Sequence, residues 1–387
     1  MLEVAGERGE YCGKLLADLG ADVIKIEPPE GSPTRRRGPF AADRLHREGS
    51  LHFAYYNTNK RGITLRLAAA SGRSLFRRLL AAADVLVDGM EPGYLEALGL
   101  DDAALHSARP DLIHTSITPF GLSGPHRDYH GDELVAFAMG GFLFISGQQG
   151  GRPLVGPGQQ ATDLGGLHAA AGVLMALQNR PAVAGQQVSV SMQEVLASEE
   201  HLIERYTFAG TSVRREGSQH GTAAPGRIYP ARDGFIHFFI AQPEKWRAFF
   251  RLLGDPEMLS DEVWSDPPFR RANVDILNPL VAAWSSERSR QELVERAQDR
   301  GLPTGSVNAP REFIDSAQCA QRGLFPVVDG ALWGPCRFPA GPYQLGDSPW
   351  ALRHPAPVLG QDNEAIYLGE LGLSRAELLA LRANGMI

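Results

Sequence analysis

The chain has 387 residues, of which 43% are hydrophobic and 21% charged, as expected for an ordinary globular protein of two or three domains. Its 38 Lys and Arg against 45 Asp and Glu give a net charge of −7, which argues against a general nucleic-acid or anionic-membrane binder. The three cysteines are odd in number and lack metal-ligand spacing, so we predict neither a disulfide framework nor a metal site. We therefore expect a cytoplasmic protein that does not associate with membranes.

The first half of the chain alternates helical periodicity with short runs of Val and Ile. Helices are predicted over 11–19, 71–83, 93–98, 132–145, 162–178 and 193–208. Strands are predicted over 21–27, 84–88, 112–117 and 186–192. This alternation is typical of a parallel sheet covered by helices on both faces, and it predicts one large α/β domain over residues 1–208.

A compositional break separates this domain from the rest of the chain. Residues 209–226 are rich in Gly, Ser and Thr without an apolar period, and we interpret them as a linker. A hairpin turning at 232–234 then opens a smaller α+β domain over 227–325, with helices predicted over 243–253 and 288–299. A tail over 326–387 is rich in Pro and Gly and ends in a helix near 375–383.

Five ordered segments, together with HPAPVLGQDNEAI near the carboxyl end, carry a resemblance across nearly the whole chain. They are LLADLGADVIKIEPPEG, YNTNKRGITL, ADVLVDGMEPGYLEALGL, ITPFGLSGP and ATDLGGLHAAAGVLMAL. In this order and spacing the chain resembles the class III CoA-transferases of the formyl-CoA transferase and CaiB/BaiF type. The resemblance implies a Rossmann-like CoA-binding domain, a small domain inserted before a returning tail, and two interlocked chains.

The resemblance also implies a nucleophile, because the family's catalytic aspartate matches Asp163. An aspartate near its reference pKa of ~3.9 is ionised at neutral pH and needs no general base to attack a thioester carbonyl. The expected products are an acyl-aspartyl anhydride and then an aspartyl-CoA thioester. An Asp before an apolar helical run is also a common N-cap, and the two interpretations are compatible.

Around this residue we expect an acyl site formed by Asp132 and Glu133 at one helix start and by Gly165 and Gly166 after Asp163. The helix amino terminus would direct its amides toward a developing oxyanion, and the two glycines would let a substrate approach the backbone. Asp132 and Glu133 are also typical of a simple capping cluster.

For CoA itself, phosphates require cations and free amides. The resemblance places the CoA-binding residues at Arg8, Lys60, Arg61, Leu65, Met90 and His130, with the run Arg35–Arg37 as a further candidate. The segment DGMEPG departs from the family pattern, with Gly89, Met90 and Glu91 where Asn, an aromatic and Arg are common, and Ala97 falls where Arg is frequent. These changes predict weakened or relocated nucleotide binding.

We therefore expect a CoA-transferase that moves CoA from an acyl-CoA to a carboxylic acid, with CoA as a substrate and no permanently bound cofactor. A CoA-ester racemase of the same fold is an alternative, although Asp132 stands where racemases carry a catalytic His. A non-catalytic CoA-binding subunit of a heteromeric transferase is another, favoured by the altered DGMEPG segment and opposed by the retained Asp163. A homodimer is expected, and a heteromer with a homologous subunit is possible.

Overall fold

The computed structural model describes residues 1–198, 202–219, 221, 223–330 and 333–387. The helices in chain order are α1 (Glu7–Asp18), α2 (Leu51–Tyr56), α3 (Ala70–Ala81), α4 (Tyr94–Ala97), α5 (Asp102–Ala108), α6 (Glu133–Met139), α7 (Phe142–Ile145), α8 (Gln160–Asn179), α9 (Met192–Ser198), α10 (Leu202–Ala209), α11 (Pro243–Leu252), α12 (Pro267–Ala272), α13 (Val274–Ser286), α14 (Arg290–Gln298), α15 (Pro310–Ile314), α16 (Ala317–Arg322) and α17 (Arg375–Ala383). Short 3-10 turns occupy Pro33–Arg36, Ala41–Asp43, Glu257–Leu259 and Glu262–Ser265, and a π-helical segment occupies Ala365–Glu370.

The strands are β1 (Leu2–Val4), β2 (Ile24–Glu27), β3 (Arg61–Thr64), β4 (Val85–Asp88), β5 (Ile113–Thr118), β6 (Gln186–Ser191), β7 (Gly226–Ala231), β8 (Gly234–Phe239), β9 (Thr304–Ser306), β10 (Val327–Gly330) and β11 (Gly334–Arg337). The chain divides into two compact units. The first contains Met1–Leu143, Val155–Val213 and Gln318–Ile387, and the second contains Phe144–Leu154 and Arg214–Ala317. The predicted domain ranges stay predictions, and these units differ from them at 144–154 and near 318.

The first unit is built on a six-stranded sheet in the order β3-β2-β1-β4-β5-β6, and every strand pair is parallel. The order reverses at β1, where the chain first adds strands on one side and then, from β4 onward, on the other. That arrangement confirms the predicted Rossmann-like α/β sheet. It also creates a crevice beyond the carboxyl ends of β1 and β4, which is where open parallel sheets bind ligands.

Buried apolar side chains cover both faces of this sheet. On one face Ile26, Ile63 and Leu86 pack in a cluster with Phe76 of α3 and with Tyr367 near the chain's end. On the other face strand residues pack with α1, α8 and α9 in a second cluster that includes Cys12, Val87, Ile117, Val173 and Leu196. The sheet is therefore covered on both sides, as expected for parallel strands joined by helices.

Two predicted helices differ from the structure. The helix predicted over 132–145 is two helices, α6 and α7, because Gly141 between them has a positive φ of 93° that ends the helical path. The helix predicted over 193–208 is represented by α9 and α10, and its continuity falls on residues 199–201, outside the described residues. Within the described ranges, no helix is both long enough and apolar enough to cross a membrane.

The second unit contains the antiparallel sheet β7-β8-β9 packed against helices. Its core is aromatic and includes Phe238, Trp246 and Phe249. The fully buried Arg270 lies with its guanidinium carbon 4.9 Å from the Trp246 ring centre and donates hydrogen bonds to five backbone carbonyls, among them Ala224 O and Trp264 O. A buried cation whose hydrogens are satisfied in this way can hold several loops in one arrangement.

Candidate functional site

A cavity of about 860 Å³ opens at the carboxyl ends of β1, β2, β3 and β4, within the first unit. This size lies in the range typical of small-molecule sites. Its lining comes from the segments that follow those strands and from the start of α6, including Gly6, Pro28, Leu65, Met90 and Gly131. The cavity therefore occupies the crevice that the reversed strand order creates.

Three arginines line the cavity, and a carboxylate partners each of them. The pairs are Arg8 with Glu91 at 2.7 Å, Arg37 with Glu7, and Arg66 with Glu30 at 3.3 Å. All six side chains belong to lining residues. The cations that could receive phosphates are thus present, but a phosphate would have to compete with their carboxylates or share them.

Arg8 is held by three hydrogen bonds. Its Nε donates to Gly89 O at 3.2 Å, its Nη1 to Gly131 O at 3.4 Å and its Nη2 to Glu91 at 2.7 Å. Glu91, which stands where the family commonly has Arg, is therefore the hydrogen-bond partner of Arg8, a predicted phosphate ligand. Gly89 is also explained by packing, because a Cβ there would lie 2.7 Å from the backbone nitrogen of Gly9.

Two of the predicted CoA ligands are placed elsewhere. Lys60 is buried, and its Nζ contacts Glu3 at 2.8 Å, Glu10 O at 2.8 Å and Asn57 Oδ1 at 2.8 Å, so its hydrogens are engaged inside the fold. Arg61 begins β3 at the opposite end of the strand from the cavity, where it pairs with Asp22 and Glu370. Neither side chain is among the residues that line the cavity, and the assignment of this basic pair to the CoA phosphates stays a prediction.

The other predicted CoA residues divide in the same way. Leu65 and Met90 line the cavity, Leu65 with its side chain buried and Met90 half-buried. The imidazole of His130 is 96% exposed outside the lining, and its Nδ1 lies 4.0 Å from Glu91. Arg35, the first residue of the basic run, is buried against Glu27, whereas Arg37 from the same run reaches the cavity.

Asp163 lies in the first turn of α8, where its own amide donates to Gln159 O at 2.8 Å. Its half-buried carboxylate accepts a hydrogen bond from the Tyr56 hydroxyl, whose single hydrogen is shared between Oδ1 at 2.8 Å and Oδ2 at 3.1 Å. Burial raises the pKa of Asp163 to about 6, against the opposing hydrogen bond from Tyr56, while the charge of Glu133 adds to the rise. The carboxylate is therefore ionised at neutral pH while partly removed from water, a state suited to nucleophilic attack.

Glu133 has a structural role that bears on one sequence-based prediction. Its carboxylate accepts hydrogen bonds from the amides of Ala161 at 2.8 Å and Thr162 at 2.9 Å, and from Thr162 Oγ1 at 2.9 Å. It thus caps the amino terminus of α8 from a distance, as Asp132 caps α6 by accepting from Val135 N at 3.0 Å. Glu133 therefore occupies the amides of Ala161 and Thr162, and the expected role of this helix amino terminus toward an oxyanion stays a prediction.

The two glycines after Asp163 are buried, and close packing requires a glycine at position 166. A Cβ at Gly166 would lie 2.9 Å from Tyr11 Cβ and 3.1 Å from Cys12 N, so its absence lets α8 pack closely against α1. At Gly165 the nearest atoms would be Met192 Cγ at 3.4 Å and Ile117 Cγ2 at 3.5 Å. The assignment of Gly165 and Gly166 to an acyl site stays a prediction.

Sequence reasoning missed Tyr56, although this residue opens the quoted segment YNTNKRGITL. It also missed a buried charge cluster beneath the crevice, in which Lys25 contacts Glu3 at 3.0 Å and Glu10 at 2.8 Å. A tyrosine at the end of a short helix gives no periodic signal, and alternating charges near strands resemble exposed positions. Only the folded arrangement brings these side chains together.

The sequence and the fold match one family of known proteins. The sequence profile of CoA-transferase family III matches residues 6–363. Among curated relatives, a formyl-CoA:oxalate CoA-transferase of Streptomyces avermitilis is 31% identical over 98% of this chain and 96% of its own. A succinyl-CoA–D-citramalate CoA-transferase of Chloroflexus aurantiacus is 33% identical over 98% and 94%. The crystal structure of a CaiB/BaiF family protein from Brucella suis superposes with a TM-score of 0.83 at 28% identity, covering 97% of both chains.

Proposed function

The chain belongs to CoA-transferase family III and is a transferase, and from that premise we propose that it moves CoA to a carboxylic acid through Asp163. The observation that carries this proposal is the Asp163 carboxylate itself. It is half-buried and ionised at neutral pH, and its two oxygens are held by one hydroxyl. A carboxylate held in this way attacks a thioester without an auxiliary base.

The proposed reaction has two symmetric halves. An Asp163 oxygen attacks the donor's carbonyl carbon, the carbon–sulfur bond breaks, and CoA leaves as a thiolate beside an acyl-aspartyl anhydride. The thiolate then attacks the aspartyl Cγ, releasing the donor acid as a carboxylate and leaving an aspartyl-CoA thioester. An acceptor carboxylate reverses both steps and departs as the new acyl-CoA, so the carboxylate of Asp163 is restored.

We assign the CoA nucleotide to the 860 Å³ cavity. Its position beyond the strand ends supports this, as do the arginines at 8, 37 and 66 and the apolar part of the wall formed by Leu65 and Met90. Lys60, Arg61 and His130 have no part in this assignment.

The alternatives draw less support from the geometry. A racemase needs a free acid-base group, whereas Asp132 is engaged as the N-cap of α6. A non-catalytic subunit would not need the carboxylate–hydroxyl arrangement at Asp163. We keep a homodimer in the cytoplasm as the proposed assembly and location, and a heteromer is a second possibility because Chloroflexus aurantiacus relatives are named as α and β subunits of a succinyl-CoA–L-malate CoA-transferase.

The test is Asp163→Asn, assayed with formyl-CoA and succinyl-CoA as donors because these occur in the relatives' names. The amide keeps the shape but removes the anionic nucleophile, so transfer should fall by several orders of magnitude while CoA affinity changes little. Asp101→Asn is the matched control, because Asp101 caps α5 outside the site and Asn caps equally well. Near wild-type transfer by Asp163→Asn contradicts the proposal.

A further inference from the structure

We propose that Tyr56 is a catalytic residue that donates a hydrogen bond to the aspartyl carbonyl oxygen while negative charge develops there. The inference rests on the proposed function, in which Asp163 is the nucleophile. It assigns to Tyr56 the steps at the aspartyl carbon and leaves the first attack on the donor to other groups.

The geometry of Tyr56 is that of a fixed donor. Its hydroxyl lies 2.8 Å from Asp163 Oδ1 and 3.1 Å from Oδ2, so either oxygen remains within reach when the other becomes part of an anhydride. The side chain is 9% exposed, and its ring centre lies 4.5 Å from that of His52, 4.9 Å from Tyr55 and 5.9 Å from Tyr11. Packing on several sides leaves the hydroxyl little freedom to move away.

The helix that carries Tyr56 is itself anchored. Ser50 caps α2 by accepting from Phe53 N at 3.1 Å, and its own hydroxyl donates to Arg37 O at 2.5 Å. Tyr56 is the last residue of this helix, directly before the segment that leads to β3. A donor whose position is set before the reaction costs no reorganisation as charge develops.

Three backbone amides at the start of α8 that could serve this oxygen are committed elsewhere. The amides of Ala161 and Thr162 at the start of α8 are bound by Glu133, and the amide of Asp163 donates to Gln159 O. The Tyr56 phenol also remains a donor, because burial and the neighbouring carboxylate raise its pKa well above the usual range. It therefore keeps its proton throughout the cycle.

Tyr56 contributes only to the steps in which the aspartyl Cγ is attacked. When Asp163 attacks the donor thioester, negative charge develops on the donor's carbonyl oxygen, and the aspartate oxygens lose charge. When the CoA thiolate attacks the aspartyl Cγ, the carbonyl π electrons move onto the aspartyl oxygen that Tyr56 contacts. The anhydride bond then breaks and the acid leaves as a carboxylate. The acceptor's attack on the aspartyl-CoA thioester passes through the same oxygen.

The experiment compares wild type, Tyr56→Phe and Tyr55→Phe, each mixed with a donor acyl-CoA in the absence of acceptor, rapidly quenched and weighed as intact protein. Wild type should progress to the enzyme–CoA adduct. In Tyr56→Phe the acyl adduct should accumulate, and the CoA adduct should form roughly 10²–10³-fold more slowly, which is the usual cost of one lost oxyanion donor. Tyr55→Phe removes a neighbouring hydroxyl and should behave like wild type.

A second readout concerns pH. The Tyr56 hydrogen bond holds the pKa of Asp163 down against burial, so Tyr56→Phe should move the acid limb of transfer above its wild-type position near 6. If Tyr56→Phe does not fold, fluorotyrosine at position 56, which keeps the shape and strengthens the donor, should accelerate formation of the CoA adduct.

Two results would overturn the inference. One is wild-type progression to the CoA adduct in Tyr56→Phe, and the other is an equal slowing of both adducts, which would make Tyr56 a positioning residue only. Failure of the proposed function looks different, because Asp163→Asn would then retain transfer and wild type would form neither adduct.

Discussion

Neutralising Glu91 should strengthen CoA binding. Arg8 lines the proposed nucleotide cavity with its side chain 14% exposed. Its Nη2 donates to the carboxylate of Glu91, a side chain that is 57% exposed, at 2.7 Å. Glu91→Gln removes a negative charge from the cavity wall, so a phosphate no longer competes with a carboxylate for Arg8 Nη2. Arg8 should stay in place because its bonds to Gly89 O and Gly131 O remain.

The size of the effect follows from Coulomb's law. A carboxylate about 7 Å from a phosphate repels it by about 0.6 kcal/mol at the dielectric constant of water and by about 2 kcal/mol at an effective value near 20. Because Glu91 is more than half exposed, the lower part of this range applies, which corresponds to a gain in affinity of roughly threefold to tenfold. Glu91→Arg is a less clean change, since it would place two cations side by side and disturb Arg8.

The assay is calorimetric titration of CoA at low and high salt. The gain for Glu91→Gln should be largest at low salt and shrink as ions screen the site. Glu96→Gln is the matched control, because Glu96 pairs with Arg127 at 2.8 Å outside the cavity lining. Unchanged affinity at low salt, or the same gain in the control, would refute the placement of CoA phosphates beside Arg8.

Two further predictions concern reactivity and stability. The transfer rate should be flat above pH 6 and should fall about tenfold per pH unit below it. The reason is that burial raises the pKa of Asp163 to about 6 and only the carboxylate attacks. An acid limb near pH 4 in the pH–rate profile would contradict this. Lys25→Met should lower the free energy of unfolding by about 3–5 kcal/mol, because it leaves the buried Glu3 and Glu10 short of a cation. A change in denaturant unfolding no larger than that of the control Lys245→Met, which removes a half-buried lysine bound to Gly301 O, would be inconsistent with that role.

Much of the fold could be predicted from hydrophobic periodicity and from the Gly and Pro residues that separate helices and strands. Alternating helices and Val- and Ile-rich strands predicted the parallel sheet, and the strand order then located the crevice. Asp163 was found through resemblance, since an aspartate opening a helix has no unique signature of its own. The break between α6 and α7 was missed because helical periodicity continues across Gly140 and Gly141, while the backbone at Gly141 does not.

The charged residues show why sequence reasoning failed for part of the site. Lys60 and Arg37 are both basic residues named as candidates for CoA phosphates, yet one is fully buried against Glu3 and the other lines the cavity. Lys60 is buried because its ammonium group binds Glu3 of β1 and the carbonyl of Glu10 in α1, contacts that form only when the sheet and α1 come together. Glu133 likewise caps α8 through the amide of Ala161, 28 residues further along the chain, a pairing that no local pattern encodes.

The central claim is that Asp163 becomes covalently activated. A donor acyl-CoA is supplied without acceptor, the mixture is treated with hydroxylamine, and the peptide containing Asp163 is analysed by mass spectrometry, with Asp163→Asn as the unlabelled control. An aspartyl anhydride or thioester at this position predicts a hydroxamate on Asp163, and borohydride in a parallel sample should reduce the thioester to the alcohol. A wild-type protein that transfers CoA once acceptor is added, yet never carries a label on Asp163, would contradict the account.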